Sequence, residues 1–113
     1  MSRDEIMYLQ DIAESCKKIS RFTAGLSQSG LIGDVKTYDA VVRNLEIIGE
    51  AAKHISEDLR RKLPDIEWQK AAGLRDMLAH AYFGIDNDIL WDVVQNKIPP
   101  LEIAINDFLY RQH

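Results

Sequence analysis

Apolar side chains recur at steps of three and four along most of the chain, the spacing that stacks them on one face of an α-helix. From about Asp4 to Ala24 the stripe runs Ile6, Leu9, Ile12/Ala13, Cys16, Ile19, Phe22, with Lys, Asp and Glu between. A second stripe, Tyr38, Val41/Val42, Leu45, Ile48, Ala52, Ile55, Leu59, predicts one long helix that starts at an Asp34 N-cap and stops at Leu63-Pro64. Between the two, Gly25, Ser27-Gln28-Ser29-Gly30 and Gly33-Asp34 read as a polar helix–helix connection. A third segment, from about Glu67 to Ala81, carries Trp68, Ala71/Ala72, Leu74 and Leu78. A fourth, capped by Asp86, carries Ile89/Leu90, Val93/Val94, Ile98, Leu101, Ile105 and Phe108/Leu109, and Pro99-Pro100 should break or kink it. Gly49 falls inside the second helix, where glycine costs about 1 kcal/mol relative to alanine, which points to close approach of another helix or tolerated strain. Strand alternation, internal repeats and interdomain linkers are absent. The expected architecture is all-α, an antiparallel bundle of four or five helices forming one domain over residues 1–113.

Size and charge narrow the function. A 113-residue domain buries only about two-thirds of its unfolded surface, so pairing with a second copy would add burial. The chain is 46% hydrophobic, too apolar for a disordered segment. No apolar run approaches the ~18 residues needed to span a bilayer, and the N-terminal Met1-Ser2-Arg3-Asp4-Glu5 has no apolar signal core, so a cytoplasmic protein without membrane association is expected. Cys16 has no cysteine partner in the chain and lies on an apolar stripe, which fits a buried structural thiol better than a nucleophile. A formal charge of -4 argues against coating nucleic acid by bulk electrostatics. Any RNA contact must be local, and the basic groups Lys17-Lys18 with Arg21, and Lys53-His54 with Arg60-Arg61-Lys62, read individually as solvated helix faces.

The informative stretch is Arg75-Asp76-Met77-Leu78-Ala79-His80-Ala81-Tyr82, four functional side chains within a short span of helix. At about 100° per residue, Asp76 and His80 share a face, so the carboxylate can orient the imidazole and favour its protonated form. Arg75 and Tyr82 also align. Arg75 and His80 diverge by about 140°, and they meet only if the arginine bends or a second subunit closes the site. Reaching one phosphodiester together, His80 would move a proton and Arg75 would stabilise the phosphorane charge through bidentate hydrogen bonds, with RNA supplying its 2′-hydroxyl as nucleophile. From spacing alone, an Arg and a His near a helix end equally fit ordinary interaction with the helix dipole.

The string Arg75-x4-His80-x-Tyr82, with Asp76 in the polar slot after the arginine, resembles the signature of the HepT subfamily of HEPN proteins. Arg43-Asn44-Leu45-Glu46-Ile47-Ile48-Gly49-Glu50-Ala51-Ala52 resembles that family's second-helix segment, and Trp68, Gly73-Leu74-Arg75 and Tyr82-Phe83-Gly84-Ile85-Asp86 follow at matching positions. The resemblance spans nearly the whole chain. It implies a HEPN-like helical fold and the toxin of a type VII-like toxin–antitoxin pair, a metal-independent endoribonuclease that leaves a 2′,3′-cyclic phosphate. Arg75 and His80 would be catalytic and Asp76 supporting. The resemblance also implies a homodimer, or a higher oligomer, whose two motifs line one cleft. The partner would be an MntA-type nucleotidyltransferase antitoxin that transfers AMP from ATP to the phenolic oxygen of Tyr82; the added phosphates would repel RNA from the cleft.

Arg43, Glu46 and Glu50 recur at helical spacing on the second helix, where they either brace the cleft or form structural ion pairs. Tyr8, Tyr38 and Tyr110 read as half-buried aromatics. His54 and His113 are too scattered for a metal site, and Gly25, Gly30 and Gly33 follow no strand and lack a Lys-Ser/Thr ending, so neither a metal nor a phosphate-loop cofactor is expected. Two other readings use the same residues: a non-catalytic helical partner and modification substrate of a minimal nucleotidyltransferase, and an enzyme that processes a small nucleotide.

Overall fold

The computed structural model describes residues 2–79 and 86–111, apart from the side chains of Arg75 and Ala79. Four long helices, α1 (Arg3–Thr23), α3 (Val35–Lys53), α5 (Trp68–Ala79) and α7 (Ile98–Arg111), make up the bundle, and three six-residue helices, α2 (Gln28–Gly33), α4 (Glu57–Lys62) and α6 (Asn87–Asp92), connect them. The described residues contain no strand, and the expected all-α HEPN-like class is the one observed.

The starts of α1, α3 and α6 follow from capping side chains. Ser2 Oγ accepts from the Glu5 amide at 3.1 Å and opens α1. Asp34 Oδ1 accepts from Thr37 at 3.2 Å and opens α3, and Asp86 Oδ1 accepts from the amides of Asp88 and Ile89 at the head of α6. Both acidic caps are those expected from the sequence.

Three connections depart from the expected pattern. The polar stretch after α1 contains α2, because Ser27 caps it by accepting from the Gly30 amide at 3.0 Å and Leu31 is buried in the core. Gly25 makes the turn before it, with φ of 76°, a conformation that L-residues with a Cβ rarely adopt. The single long helix expected from Asp34 to Leu63 is two helices: α3 ends at His54, and Ser56 starts α4 by accepting from the Leu59 amide at 3.2 Å. Ile55 and Leu59 stay buried on both sides of this break, so the apolar spacing survives a change of helix and conceals it. Finally, Pro99-Pro100 do not break the last segment, which is helical from Asn87 to Arg111. A π-helical turn over Val93–Lys97 precedes them, with the Ile98 amide bonded to the Val93 carbonyl. The prolines then sit in the first turn of α7, where their missing N–H groups and their clash with the carbonyl four residues back are tolerated.

The core lies between α1, α3, α5 and the α6–α7 run. Leu9, Ile12, Cys16 and Ile19 of α1 meet Val41, Leu45, Ile48 and Ala52 of α3, with Leu74 and Leu78 from α5 and Leu90, Val94, Ile98 and Ile105 from the C-terminal run. The start of α1 lies at the end of α3: Glu5 Oε1 accepts from the Ser56 amide at 3.2 Å, and the Tyr8 and His54 rings stack at 4.6 Å with 9° between planes. These contacts make α1 and α3 antiparallel. The hydrogen bonds from Ser56 hold the Glu5 carboxyl below its ordinary pKa.

Candidate functional site

Helix α5 carries the N-terminal half of the chemical motif. It buries Trp68, Leu74 and Leu78 and is fixed at its start by a polar clasp. Trp68 Nε1 donates to the Leu63 carbonyl at 3.1 Å, and the Arg60 guanidinium lies 5.9 Å from the Trp68 ring centre while its Nη2 donates to the Ala52 carbonyl at 2.8 Å. The end of α3, α4 and the start of α5 are thereby tied together, two turns ahead of Arg75. Arg60 Nε is buried without a hydrogen-bond partner, so the clasp leaves one donor of the guanidinium unsatisfied.

Arg75 lies within α5, and its side chain is outside the described residues, as are His80 and Tyr82. Asp76 is described: its side chain is 72% exposed, and Lys53 Nζ at the last turn of α3 lies 3.7 Å from Oδ1. The motif's polar residue is therefore held from a neighbouring helix. The sequence offers no signal for this partner, because Lys53 reads there as one more cation on a solvated helix face.

Arg43, Glu46 and Glu50 do share one side of α3. With Tyr8 and Asp11 of α1 they line an open cleft of about 300 Å³. Arg43 Nη1 lies 3.6 Å from Glu46 Oε2, and Glu50 Oε1 lies 3.5 Å from His54 Nε2, all on exposed or half-exposed side chains. Both are local helical pairs of the kind that contribute a few tenths of a kcal/mol. Among the described residues, no three His, Cys, Asp or Glu side chains group in a way that could hold a metal ion.

The other tyrosines separate. Tyr8 is half-buried against His54, and the Tyr38 hydroxyl donates to Asn87 Oδ1 at 2.9 Å, joining α3 to α6. Tyr110, expected as a half-buried aromatic, is 83% exposed, because Ile105 and not the Tyr110 side of α7 turns inward. Cys16 is buried, as expected, and burial pushes its thiol pKa up to about 12. A second apolar groove of about 350 Å³ opens between α5 and the C-terminal run, lined by Ile66, Ala71, Leu74, Val93, Ile98 and Leu101. At its rim Glu67 is held by Lys70 at 2.7 Å and Lys97 at 3.6 Å, and the Lys70 bond and charge lower the Glu67 pKa.

A helical bundle whose third long helix carries the Arg75-Asp76 start of this motif defines an all-α protein of the HEPN class. The Ribonuclease HepT-like family model matches residues 12–108, and the chain belongs to that family. It is 46% identical over 102 residues to "Probable ribonuclease HepT" of Thermococcus cleftensis, covering 90% of this chain and 93% of that protein. It is 45% identical over 97 residues to "Putative RNase MJ0127" of Methanocaldococcus jannaschii, covering 86% and 80% of the two chains. A bacterial relative, "Putative RNase TTE0752" of Caldanaerobacter subterraneus, is 35% identical over 105 residues, covering 93% and 94%. No solved structure matches the chain. No described helix is long and apolar enough to cross a membrane.

Proposed function

We propose that this protein is an RNA-cleaving toxin of a HepT-type toxin–antitoxin pair. Membership of the Ribonuclease HepT-like family over residues 12–108, a span that contains Arg75, Asp76, His80 and Tyr82, carries the reading. In the proposed reaction the 2′-hydroxyl attacks the adjacent phosphorus, the bond to the 5′-oxygen of the next nucleotide breaks, and a 2′,3′-cyclic phosphate and a 5′-hydroxyl form. His80 moves the proton between these oxygens, and Arg75 stabilises the charge on the non-bridging oxygens. Asp76 supports the imidazolium. The chemistry needs no metal, because the nucleophile is built into the substrate and the guanidinium supplies the charge.

The five-residue spacing of Arg75 and His80, which a straight helix would turn about 140° apart, supports a site completed by a second copy of the chain, so the working unit is a homodimer. Tyr82, beside the catalytic pair in sequence, is the acceptor for AMP transferred by an MntA-type nucleotidyltransferase, and the added negative charge closes the cleft to RNA.

The decisive test incubates the protein and its His80→Ala variant with total tRNA and with an mRNA in EDTA, and maps the fragment ends. Cleavage by the unaltered protein alone, leaving cyclic phosphates, is the expected result. An unmodified, folded protein, verified by intact mass, that leaves both RNAs whole overturns the reading and favours a non-catalytic partner of the nucleotidyltransferase.

A further inference from the structure

We propose that Lys53 is a phosphate-binding residue of the RNA site, poised beside the Arg75-Asp76 step of α5 by its ion pair with Asp76. The inference rests on the ribonuclease reading and extends it to a residue outside the motif. The pair joins the last turn of α3 to the helix that carries Arg75, with Nζ 3.7 Å from Oδ1. The Arg43–Glu46, Arg61–Asp58 and Lys70–Glu67 pairs stay within one helix or its first-turn flank, and Lys97–Glu67, which also joins two elements, lies at the start of α5, two turns ahead of Arg75.

Exposure decides what the pair can do. Asp76 is 72% and Lys53 39% exposed, so the contact contributes at most about 1 kcal/mol and is readily exchanged. A phosphodiester arriving at α5 competes for the same ammonium, which binds phosphate as a compact point charge with three rotatable donors. Until then the carboxylate keeps the long side chain directed at α5, so some of its rotamer freedom is already lost before RNA arrives. In a chain of net charge -4, one cation placed at the motif matters more than the overall field.

The same geometry gives Asp76 two opposed effects. Its charge occupies Lys53 and repels phosphate, which weakens RNA binding, while its place four residues before His80 in the motif supports the chemical step. Lys53 and Asp76 substitutions should therefore move affinity in opposite directions, which a purely structural ion pair would not do.

The probe is a single-stranded 2′-O-methyl RNA, which cannot be cleaved because its 2′-oxygen is blocked. Binding is followed by fluorescence anisotropy across a salt series, with cleavage of total tRNA by the unaltered protein run in parallel. Lys53→Met is expected to weaken binding several-fold and to lower the slope of log affinity against log salt by about 0.7, the share of one phosphate on a single strand. In cleavage the loss falls more on KM than on kcat, and Lys53→Arg restores most of it. Asp76→Asn is expected to bind more tightly yet cleave more slowly. Lys53→Met with the original affinity and salt slope overturns the proposal, as does a loss of affinity in Asp76→Asn matching that in Lys53→Met. If the unaltered protein leaves tRNA whole, the ribonuclease reading fails on its own, and the binding series still decides whether Lys53 meets phosphate.

Discussion

Arg60 and Trp68 form the joint between the second and third long helices: the guanidinium sits 5.9 Å from the indole ring centre and donates through Nη2 to the last buried turn of α3 at Ala52. The start of the motif helix is thereby set by a charged hydrogen bond and a cation–π contact, in addition to apolar packing. Arg60→Ala should lower stability by about 1–3 kcal/mol, read from urea unfolding. Arg60→Lys should recover little, because an ammonium lacks the planar fork that spans both contacts. Full stability in Arg60→Ala would show that the clasp contributes nothing.

Arg75→Ala and His80→Ala should each reduce RNA cleavage by about 10²–10⁴-fold, the range for loss of a proton-transfer or charge-stabilising group. Mixing the two inactive variants offers a sharper check. If one cleft is completed by two chains, heterodimers of the variants should regain part of the activity. Cleavage that persists in either folded variant would remove that residue from the chemistry.

Tyr82→Phe should keep cleavage while losing only a hydroxyl. Co-expression with a nucleotidyltransferase antitoxin should then add AMP mass to the unaltered protein and none to the variant, whose toxicity persists. AMP found on Tyr82→Phe by peptide mass mapping would place the acceptor elsewhere.

Cys16 should resist alkylation in the folded protein at pH 8, because burial, reinforced by the charge of Glu102, raises its pKa from 9.0 to about 12 and leaves almost no thiolate. The folded state thus holds the proton more tightly than the unfolded chain. Its contribution to stability is complete below about pH 9 and is lost progressively as pH rises toward about 12. Iodoacetamide should label the thiol readily in urea and slowly without it, and Cys16→Ala should flatten the alkaline fall in unfolding free energy. Equal labelling rates in both conditions would contradict the burial.

The helix faces were legible in the sequence because apolar spacing and capping chemistry are local. Leu9, Ile12, Cys16 and Ile19, then Val41, Leu45 and Ile48, fall on the predicted buried sides, and Asp34 and Asp86 cap where expected. The same periodicity misplaced the helix boundary at His54–Ser56, since Ile55 and Leu59 keep a helical interval across a real break. Residue type gave Tyr110 more burial than it has, because an aromatic ring does not by itself indicate which side of a helix its neighbours cover.

The motif was read from sequence as well, by its residues and their likeness to a family, and Arg75, Asp76, His80 and Tyr82 need no coordinates to be singled out. Lys53 as the partner of Asp76, the stack of Tyr8 on His54 and the Arg60 clasp on Trp68 were decided only by tertiary structure. Each joins residues that are distant in the chain, and a charge or a ring carries no mark of its partner until helix packing brings the two within a few ångströms. Local hydrogen bonding and hydrophobic periodicity act over one or two turns, whereas these contacts depend on how α1, α3 and α5 pack against one another.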